Sequence, residues 1–179
     1  MRLQRYCLPL VALCALSLTG CVSESTDGST RVYTYQFWVP MSVLLGGMVA
    51  GPAGWFLRLS SARFGWALMI GGLIAALGFA PSLFLDKATV SEQQFTQRTG
   101  IWGMTAVHTV NVDQLSHVRL TKEESRGRRG RKNTSYYMIC HLKDGSQEKV
   151  PLGNSVAEAA AGDFLQVVAS HNIPISDET

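Results

Sequence analysis

The hydrophobic positions of this chain follow three different patterns. Phe37 to Leu57 and Phe64 to Leu85 are apolar runs without a charged residue, and each is long enough as a helix to cross a bilayer core of about 30 Å. Tyr6 to Leu18 is a shorter apolar run. From Lys87 onward, short strand-like runs alternate with turn signals until helical spacing returns near the end. The pattern predicts two membrane-spanning helices and a small region of mixed α and β structure.

The link between the two long runs predicts their direction. Only the segment Arg58 to Arg63 connects them, so the helices are expected to form a hairpin. Two arginines in so short a loop favour a cytoplasmic loop, which places both ends of the hairpin outside. Trp38, Trp55 and Trp66 lie near the ends of the runs, as interfacial aromatic residues do.

Small residues recur at helical spacing within both runs. They allow close approach of two helix backbones, and the first expectation is that the hairpin packs against itself. The alternative is a second membrane protein bound through the same positions, which are Gly47, Gly51, Gly72 and Ala76. Neither run contains an ionisable residue, so transport or proton relay has no side chain to carry it.

The first residues have the features of an export signal. Arg2 and Arg5 precede the short apolar run, which ends in Leu18-Thr19-Gly20-Cys21. This resembles the bacterial lipoprotein signal, which implies that residues 1–20 are a signal peptide and that Cys21 carries a lipid. A signal that is retained, or cleaved without lipidation, is the alternative. Residues 21–36 are predicted to be a polar tether that does not fold.

Residues 86–175 are predicted to form one domain. The strand-like runs include "GMTAVHTVNV", "QLSHVRLTKE" and "TSYYMICHLK", and Asp144-Gly145 is a hairpin signal. Ser155 and Glu158 have the spacing of a capping box at the start of a helix. The apolar face of that helix comprises Ala157, Ala160, Ala161, Phe164, Leu165 and Val168. Residues 176–179 are expected to be a tail.

This element order resembles the pleckstrin-homology-like domains of bacterial membrane proteins. The phrases "VNVDQLSHVRL" and "LKDGSQEKVPL" match that family's strands and turn before the helix, and a two-helix hairpin often precedes the domain. The resemblance implies an α+β membrane protein with a transmembrane hairpin in residues 37–85. It also implies a small antiparallel β-sandwich or roll closed by a C-terminal amphipathic helix. Family members more often bind or scaffold than catalyse, and they commonly face the cytoplasm.

Candidate chemistry is sparse. The formal net charge is +3, but charges balance from Asp86 onward, so nucleic acid is not expected as a partner. The histidines have no metal-ligand spacing, and no metal or cofactor is expected. Gly162-Asp163-Phe164 is expected to be ordinary helix composition. Cys140 is expected in the core, with a reactive thiol as the alternative. An enzyme would need His108, His117, His141 and Cys140 to converge.

The one concentrated charge feature is a basic loop, "RGRRGRK". Its cations are Arg126, Arg128, Arg129, Arg131 and Lys132. Either the loop is simply solvated, or it binds anionic lipid headgroups or an acidic partner. We therefore expect a non-enzymatic binding or scaffolding protein of the bacterial inner membrane, lipid-anchored and two-pass, with its domain on the extracytoplasmic side. A cytoplasm-facing regulator or assembly factor that reads lipid from inside is the first alternative, and an enzyme is the second.

Overall fold

A computed structural model describes residues 22–101, 104–126 and 132–178. The chain divides into two compact units. The helical unit comprises Tyr35–Phe84, and the sheet unit comprises Val22–Thr34 together with the chain from Leu85 onward. The sheet unit is thus discontinuous in sequence, because the whole helical unit is inserted between two of its strands.

The helical unit is a pair of apolar helices. α1 is Trp38–Leu57, and the return helix comprises α2, Ala62–Ile74, a π-helical turn, Ala75–Phe79, and α3, Ala80–Leu85. Both helices are long and apolar enough to cross a membrane. Their bounds agree with the predicted runs to within two residues, since each apolar run is uninterrupted by charge or turn signals.

Close backbone contacts join the two helices. A Cβ atom added at Gly47 would collide with the Gly72 carbonyl oxygen and with Ala76, and one added at Gly72 would collide with Ala50. Near the loop, Gly54 and Gly65 approach each other in the same way. Packing of the hairpin against itself therefore accounts for three of the four small residues named in the sequence analysis.

Two features mark the ends of the helical unit. The π-helical turn ends two residues before Pro81, which has no backbone N–H to donate to the preceding turn. At the loop, the Arg58 guanidinium lies 5.3 Å from the Trp55 ring centroid and 5.1 Å from that of Trp66. The two tryptophans thus flank a loop arginine, an arrangement suited to an aqueous interface.

The first sheet of the sheet unit has five strands in sequential order. They are β1 (Val22–Asp27), β2 (Thr30–Tyr35), β3 (Lys87–Val90), β4 (Gln94–Ile101) and β5 (Met104–Asn111). β2 and β3 are antiparallel neighbours, with Arg31 opposite Val90 and Thr34 opposite Lys87. The chain leaves this sheet after β2, forms the helical unit and returns in β3.

The second sheet has four strands in the order β8-β7-β6-β9. They are β6 (Leu115–Arg126), β7 (Lys132–Leu142), β8 (Gln147–Pro151) and β9 (Ile175–Glu178). A short 3₁₀ turn, Val112–Gln114, connects β5 to β6. β9 is the one parallel strand of this sheet within the described residues, and it pairs with β6. The described structure is therefore of mixed α and β type, with one antiparallel and one mixed sheet.

The core of the sheet unit lies where both sheets meet the helix α4, Ser155–Ser170. The Phe95 and Phe164 rings pack with their centroids 5.0 Å apart, and neither side chain is exposed. The expected apolar face is buried, apart from a half-buried Leu165. The capping prediction was shifted by one residue, because Asn154, not Ser155, is the N-cap. The Asn154 side chain accepts from the Ala157 N–H at 2.7 Å.

Three predicted boundaries need correction. Residues 22–35 are not an unstructured tether but the hairpin β1–β2, because hydrogen bonding to β3 satisfies a polar segment that has no apolar run of its own. The domain therefore begins before the helical unit, not at residue 86. Finally, residues 176–178 of the predicted tail belong to β9, since the edge of β6 is available to pair with them.

Candidate functional site

The predicted lipidation and basic-loop residues lie largely outside the described part of the chain. These are Cys21, Arg128, Arg129 and Arg131. The two ends of the loop are described as the terminal backbone pair of β6 and β7, Arg126 opposite Lys132. The loop thus connects two long paired strands, as a hairpin loop does.

Acidic residues next to the basic loop are already paired with lysines. Glu124 lies 3.6 Å from the Lys132 ammonium and 3.5 Å from that of Lys122. Glu123 accepts from Lys149 at 2.5 Å. All these side chains are at least one third exposed, so the pairs contribute little to stability. Their effect is to offset part of the positive charge at the base of the loop.

The proposed catalytic convergence is only partial. The His117 and His141 rings lie 5.5 Å apart across β6 and β7. Cys140 points to the opposite face of β7 from His141, because successive strand residues alternate, and it is fully buried. His108 pairs instead with Glu148, at 2.7 Å. The histidine pair and Cys140 therefore lie on opposite faces of the sheet, while His108 bonds to Glu148, the cross-strand partner of Cys140.

Cys140 lies in surroundings that suppress thiol reactivity. Burial raises the pKa of its thiol to about 12, and the negative charge of Glu148, its cross-strand partner, acts in the same direction. Nucleophilic chemistry requires the thiolate, which a raised pKa makes rare at neutral pH. No group of three or more potential metal ligands occurs among the described residues. The arrangement fits a core cysteine.

A polar cluster that the sequence reasoning missed joins β2 to α4. The Arg31 guanidinium donates to the Asp163 carboxylate at 2.5 Å, and the Tyr33 hydroxyl donates to the same oxygen. The Tyr33 hydroxyl bond, and then Arg31, hold the pKa of Asp163 below its usual value. Burial, followed by the Asp163 bond, raises the pKa of Tyr33 to about 12. We call Arg31, Tyr33 and Asp163 the clamp, because they hold the hairpin β1–β2 on α4.

Little in the sequence points to the clamp. Asp163 matches ordinary helix composition, although it is an isolated acid next to the apolar face of α4. Its partners lie 130 and 132 residues away, in a segment expected to be a tether. A groove of about 350 Å³ adjoins the clamp, and Gln166, Ser170 and His171 contribute to its wall. Arg31 and Asp163 are paired with each other, and Glu92 is a further charged residue in the wall of the groove.

A second groove, of about 320 Å³, lies between α4 and the strands β6 and β7. Its lining is mostly apolar and includes Leu120, Tyr136, Leu152, Ala161 and Leu165. The Lys149 ammonium lies 3.9 Å from the centroid of the neighbouring Tyr137 ring. The described part of the sheet unit thus has a groove with polar walls beside the clamp and a mostly apolar groove between α4 and the second sheet.

Asp86, just before β3, bonds to two other parts of the sheet unit. Its carboxylate accepts from the Gly100 backbone N–H and, at 3.3 Å, from the Asn154 amide. Burial nevertheless raises the pKa of Asp86, since its hydrogen bonds only partly compensate for lost hydration. One carboxylate thus connects β4 and the N-cap of α4 to the point where the chain re-enters the sheet unit.

Comparison with known proteins adds no family. No protein-family model matches the chain, and no curated protein is significantly similar to it.

Proposed function

We propose that this protein is a membrane-anchored, non-enzymatic binding or scaffolding module of the bacterial envelope. Its lipid would be carried on Cys21, its two apolar helices would cross the inner membrane, and its sheet unit would be a pleckstrin-homology-like domain on the extracytoplasmic side. The observation that carries the proposal is the insertion of two exposed apolar helices between the paired strands β2 and β3.

The exposure of the helices supports a membrane setting. In α1 and in the return helix, only 22% and 17% of the most apolar stretch is buried. Large apolar side chains such as Met48, Val49 and Leu73 are exposed. A core helix of a soluble protein buries such residues, whereas lipid solvates them at no cost.

The pairing of β2 with β3 supports a topology in which both ends of the helical hairpin lie on the same side of the membrane. β2 precedes the first helix and β3 follows the second, and the two are hydrogen-bonded neighbours. If the helices cross a bilayer, the hairpin β1–β2, which begins at Val22, and the rest of the sheet unit must lie on the same side of it. The loop that carries Arg58 and Arg63 then lies on the other side, where positive charge favours the cytoplasm.

The start of β1 gives the lipid a different role from that of anchoring a tether. β1 begins at Val22, directly after Cys21. A lipid on Cys21 would therefore hold the edge of the first sheet at the membrane surface. The lipid is not needed to retain the protein in the membrane, since the insertion of a pair of spanning helices is effectively irreversible. The arrangement of a strand meander, a second sheet and a C-terminal helix supports the pleckstrin-homology-like assignment.

The decisive experiment determines the side on which the C-terminus lies. Alkaline phosphatase and green fluorescent protein are fused separately after Thr179, in the wild-type chain and in Cys21→Ala. Alkaline phosphatase matures only outside the cytoplasm, so we expect an active phosphatase and a dark fluorescent protein. The reverse pair of results would refute the extracytoplasmic domain and favour the cytoplasm-facing regulator. Loss of the mass shift of the lipid in Cys21→Ala checks the modification itself.

Binding by the basic loop needs a separate test. The full chain is reconstituted in nanodiscs of phosphatidylcholine, with or without phosphatidylglycerol, and treated with trypsin. If the loop binds anionic headgroups, cleavage within residues 126–132 slows in the anionic discs. Lys143, in the turn between β7 and β8, provides an internal control site. Equal loop cleavage in both discs would mean that the loop is merely solvated.

A further inference from the structure

The tip of the hairpin β4–β5 exposes apolar side chains on both faces. Met104 is 79% exposed, Val107 57% and Ile101 46%. Ile101 and Met104 are a cross-strand pair that continues the core-facing side of the sheet, on which Phe95 is fully buried. The hairpin therefore extends beyond the core that covers the rest of that face. Residues 102 and 103, which connect the two strands, lie outside the described part of the chain.

This tip lies at the end of the sheet where the chain enters and leaves the helical unit. Leu85 ends the second apolar helix, and Lys87 begins β3, so only about 7 Å of extended chain separates them. Lys87 is opposite Arg98 in β4. Since β4 is antiparallel to β3, it continues past the start of β3. Ile101 lies three residues beyond that pair and therefore about 10 Å past the start of β3.

One hydrogen bond joins the hairpin to the start of β3, and one close backbone contact joins its two strands. The Gly100 N–H donates to the carboxylate of Asp86, the residue that directly follows the second apolar helix. Gly100 itself has a φ of 157°, and a Cβ atom there would collide with the Met104 carbonyl oxygen. Only glycine permits this close approach of β4 to β5. The tip is thus held next to Asp86, just before the start of β3.

Charge at this end of the sheet is complementary to an anionic surface. Lys87 and Arg98 are exposed and directly opposite each other. Like charges on paired strands repel, and neither forms an ion pair with another residue in the described part of the chain. Anionic headgroups would relieve that repulsion, and the apolar tip beyond the pair would enter the adjoining interfacial layer.

We propose that the tip of the hairpin β4–β5, through Ile101, Met104 and Val107, inserts into the membrane interface beside the two helices. The proposal rests on the function proposed above, because it requires the helices to cross that membrane. It gives the domain a further attachment, so that the domain is oriented on the bilayer rather than only linked to it. The occupant of the exposed apolar surface is lipid, not a partner protein.

The test measures depth in the bilayer with a fluorescent amino acid introduced by codon suppression. The full chain is reconstituted in nanodiscs of phosphatidylethanolamine and phosphatidylglycerol, with or without a lipid that carries a doxyl quencher. The probe replaces Met104 in one sample. Asn111, exposed at the other end of β5 and about 23 Å away, is the matched control. Leu73, in the return helix, reports whether the helices are in the bilayer.

We expect the doxyl lipid to quench the probes at residues 104 and 73 and to leave the probe at residue 111 unchanged. Quenching at 73 without quenching at 104 would overturn the insertion of the tip while leaving the membrane helices intact. Absence of quenching at 73 would refute the proposed function, and the insertion with it. Met104→Ser should fold, because Met104 is highly exposed. Since the substitution weakens insertion of the tip, we expect it to make residue 101 more accessible to quenchers dissolved in water.

Discussion

Replacing Tyr33 with phenylalanine removes one hydroxyl from the clamp and changes little else. Tyr33 is 4% exposed, and its hydroxyl donates to the ionised carboxylate of Asp163. A hydrogen bond to a charged group contributes about 1.5–3 kcal/mol to stability. Because the Asp163 side chain is 23% exposed, water can replace part of the lost bond. We therefore expect Tyr33→Phe to cost about 1–2 kcal/mol, around the lower end of that range.

The assay is hydrogen–deuterium exchange of the full chain in detergent micelles, followed on peptides that carry β2 and α4. A loss of about 1–2 kcal/mol corresponds to exchange faster by a factor of about 5–30 for amides that exchange by opening of the clamp. Tyr136→Phe is the matched control, since Tyr136 lies on the second sheet and is 43% exposed. Asp163→Asn combined with Tyr33→Phe should cost less than the sum of the two single substitutions.

Acid should weaken the same contact. The pKa of Asp163 is lowered in the folded chain, so its contribution to stability is present above the ordinary carboxyl pKa of about 3.9 and is lost as the pH falls through the folded value. Asp163→Asn should remove that part of the acid sensitivity. If Tyr33→Phe left exchange in β2 and α4 unchanged, the clamp would not hold the two elements, and only the pairing of β2 with β3 would fix the hairpin β1–β2.

Four further results are expected. Phe164→Ala empties a fully buried position and should cost about 3–5 kcal/mol, measured by denaturation in micelles. Burial raises the pKa of the Asp86 carboxyl group, so its charge opposes folding at pH 7. Asp86→Asn removes that charge and keeps a hydrogen-bond acceptor, so it should not lower the melting temperature at pH 7. Asp86→Ala removes the acceptor too and should lower it. Cys140, with a thiol pKa of about 12, should resist maleimide until the chain unfolds. Gly72→Leu should loosen the helical hairpin, measured by disulfide cross-linking between the helices, while Gly71→Leu, which points into open space, should not.

Controls distinguish these effects from general misfolding. Thermal unfolding of the Gly71 and Gly72 variants should show whether the sheet unit remains intact. Rapid labelling of Cys140 in the folded chain would contradict its burial. A lower melting temperature for Asp86→Asn than for the wild type at pH 7 would mean that the charge itself, and not only the acceptor oxygen, stabilises the fold.

Local features of the sequence were sufficient to predict the helices and most strands. The two apolar runs need only their own length and lack of charge to specify helices, and the predicted bounds agree with the structure to within two residues. The C-terminal helix was predicted from its apolar face, although its cap is Asn154 rather than Ser155. The strands β5, β6 and β7 follow alternation and turn signals, which are also local.

The partners of those elements could not be predicted in the same way. The segment 22–34 has no apolar run and has the composition of a linker, yet its backbone is satisfied by β3, beyond the inserted helices. Likewise, Asp163 becomes part of the clamp only because the fold brings Arg31 and Tyr33 to α4. The exposed tip at Met104 and the pairing of β9 with β6 also depend on register between strands.

By itself, the sequence determined the helices, the strands β5 to β7 and the apolar face of the C-terminal helix, because these depend on neighbours a few residues away. Only the tertiary structure decided that a polar segment before the helices and the chain after them form one unit. It also decided that Asp86, Gly100 and Asn154 meet at the point where the chain leaves the helices. Such contacts are fixed by long-range hydrogen bonding and packing, which no local pattern of residues encodes.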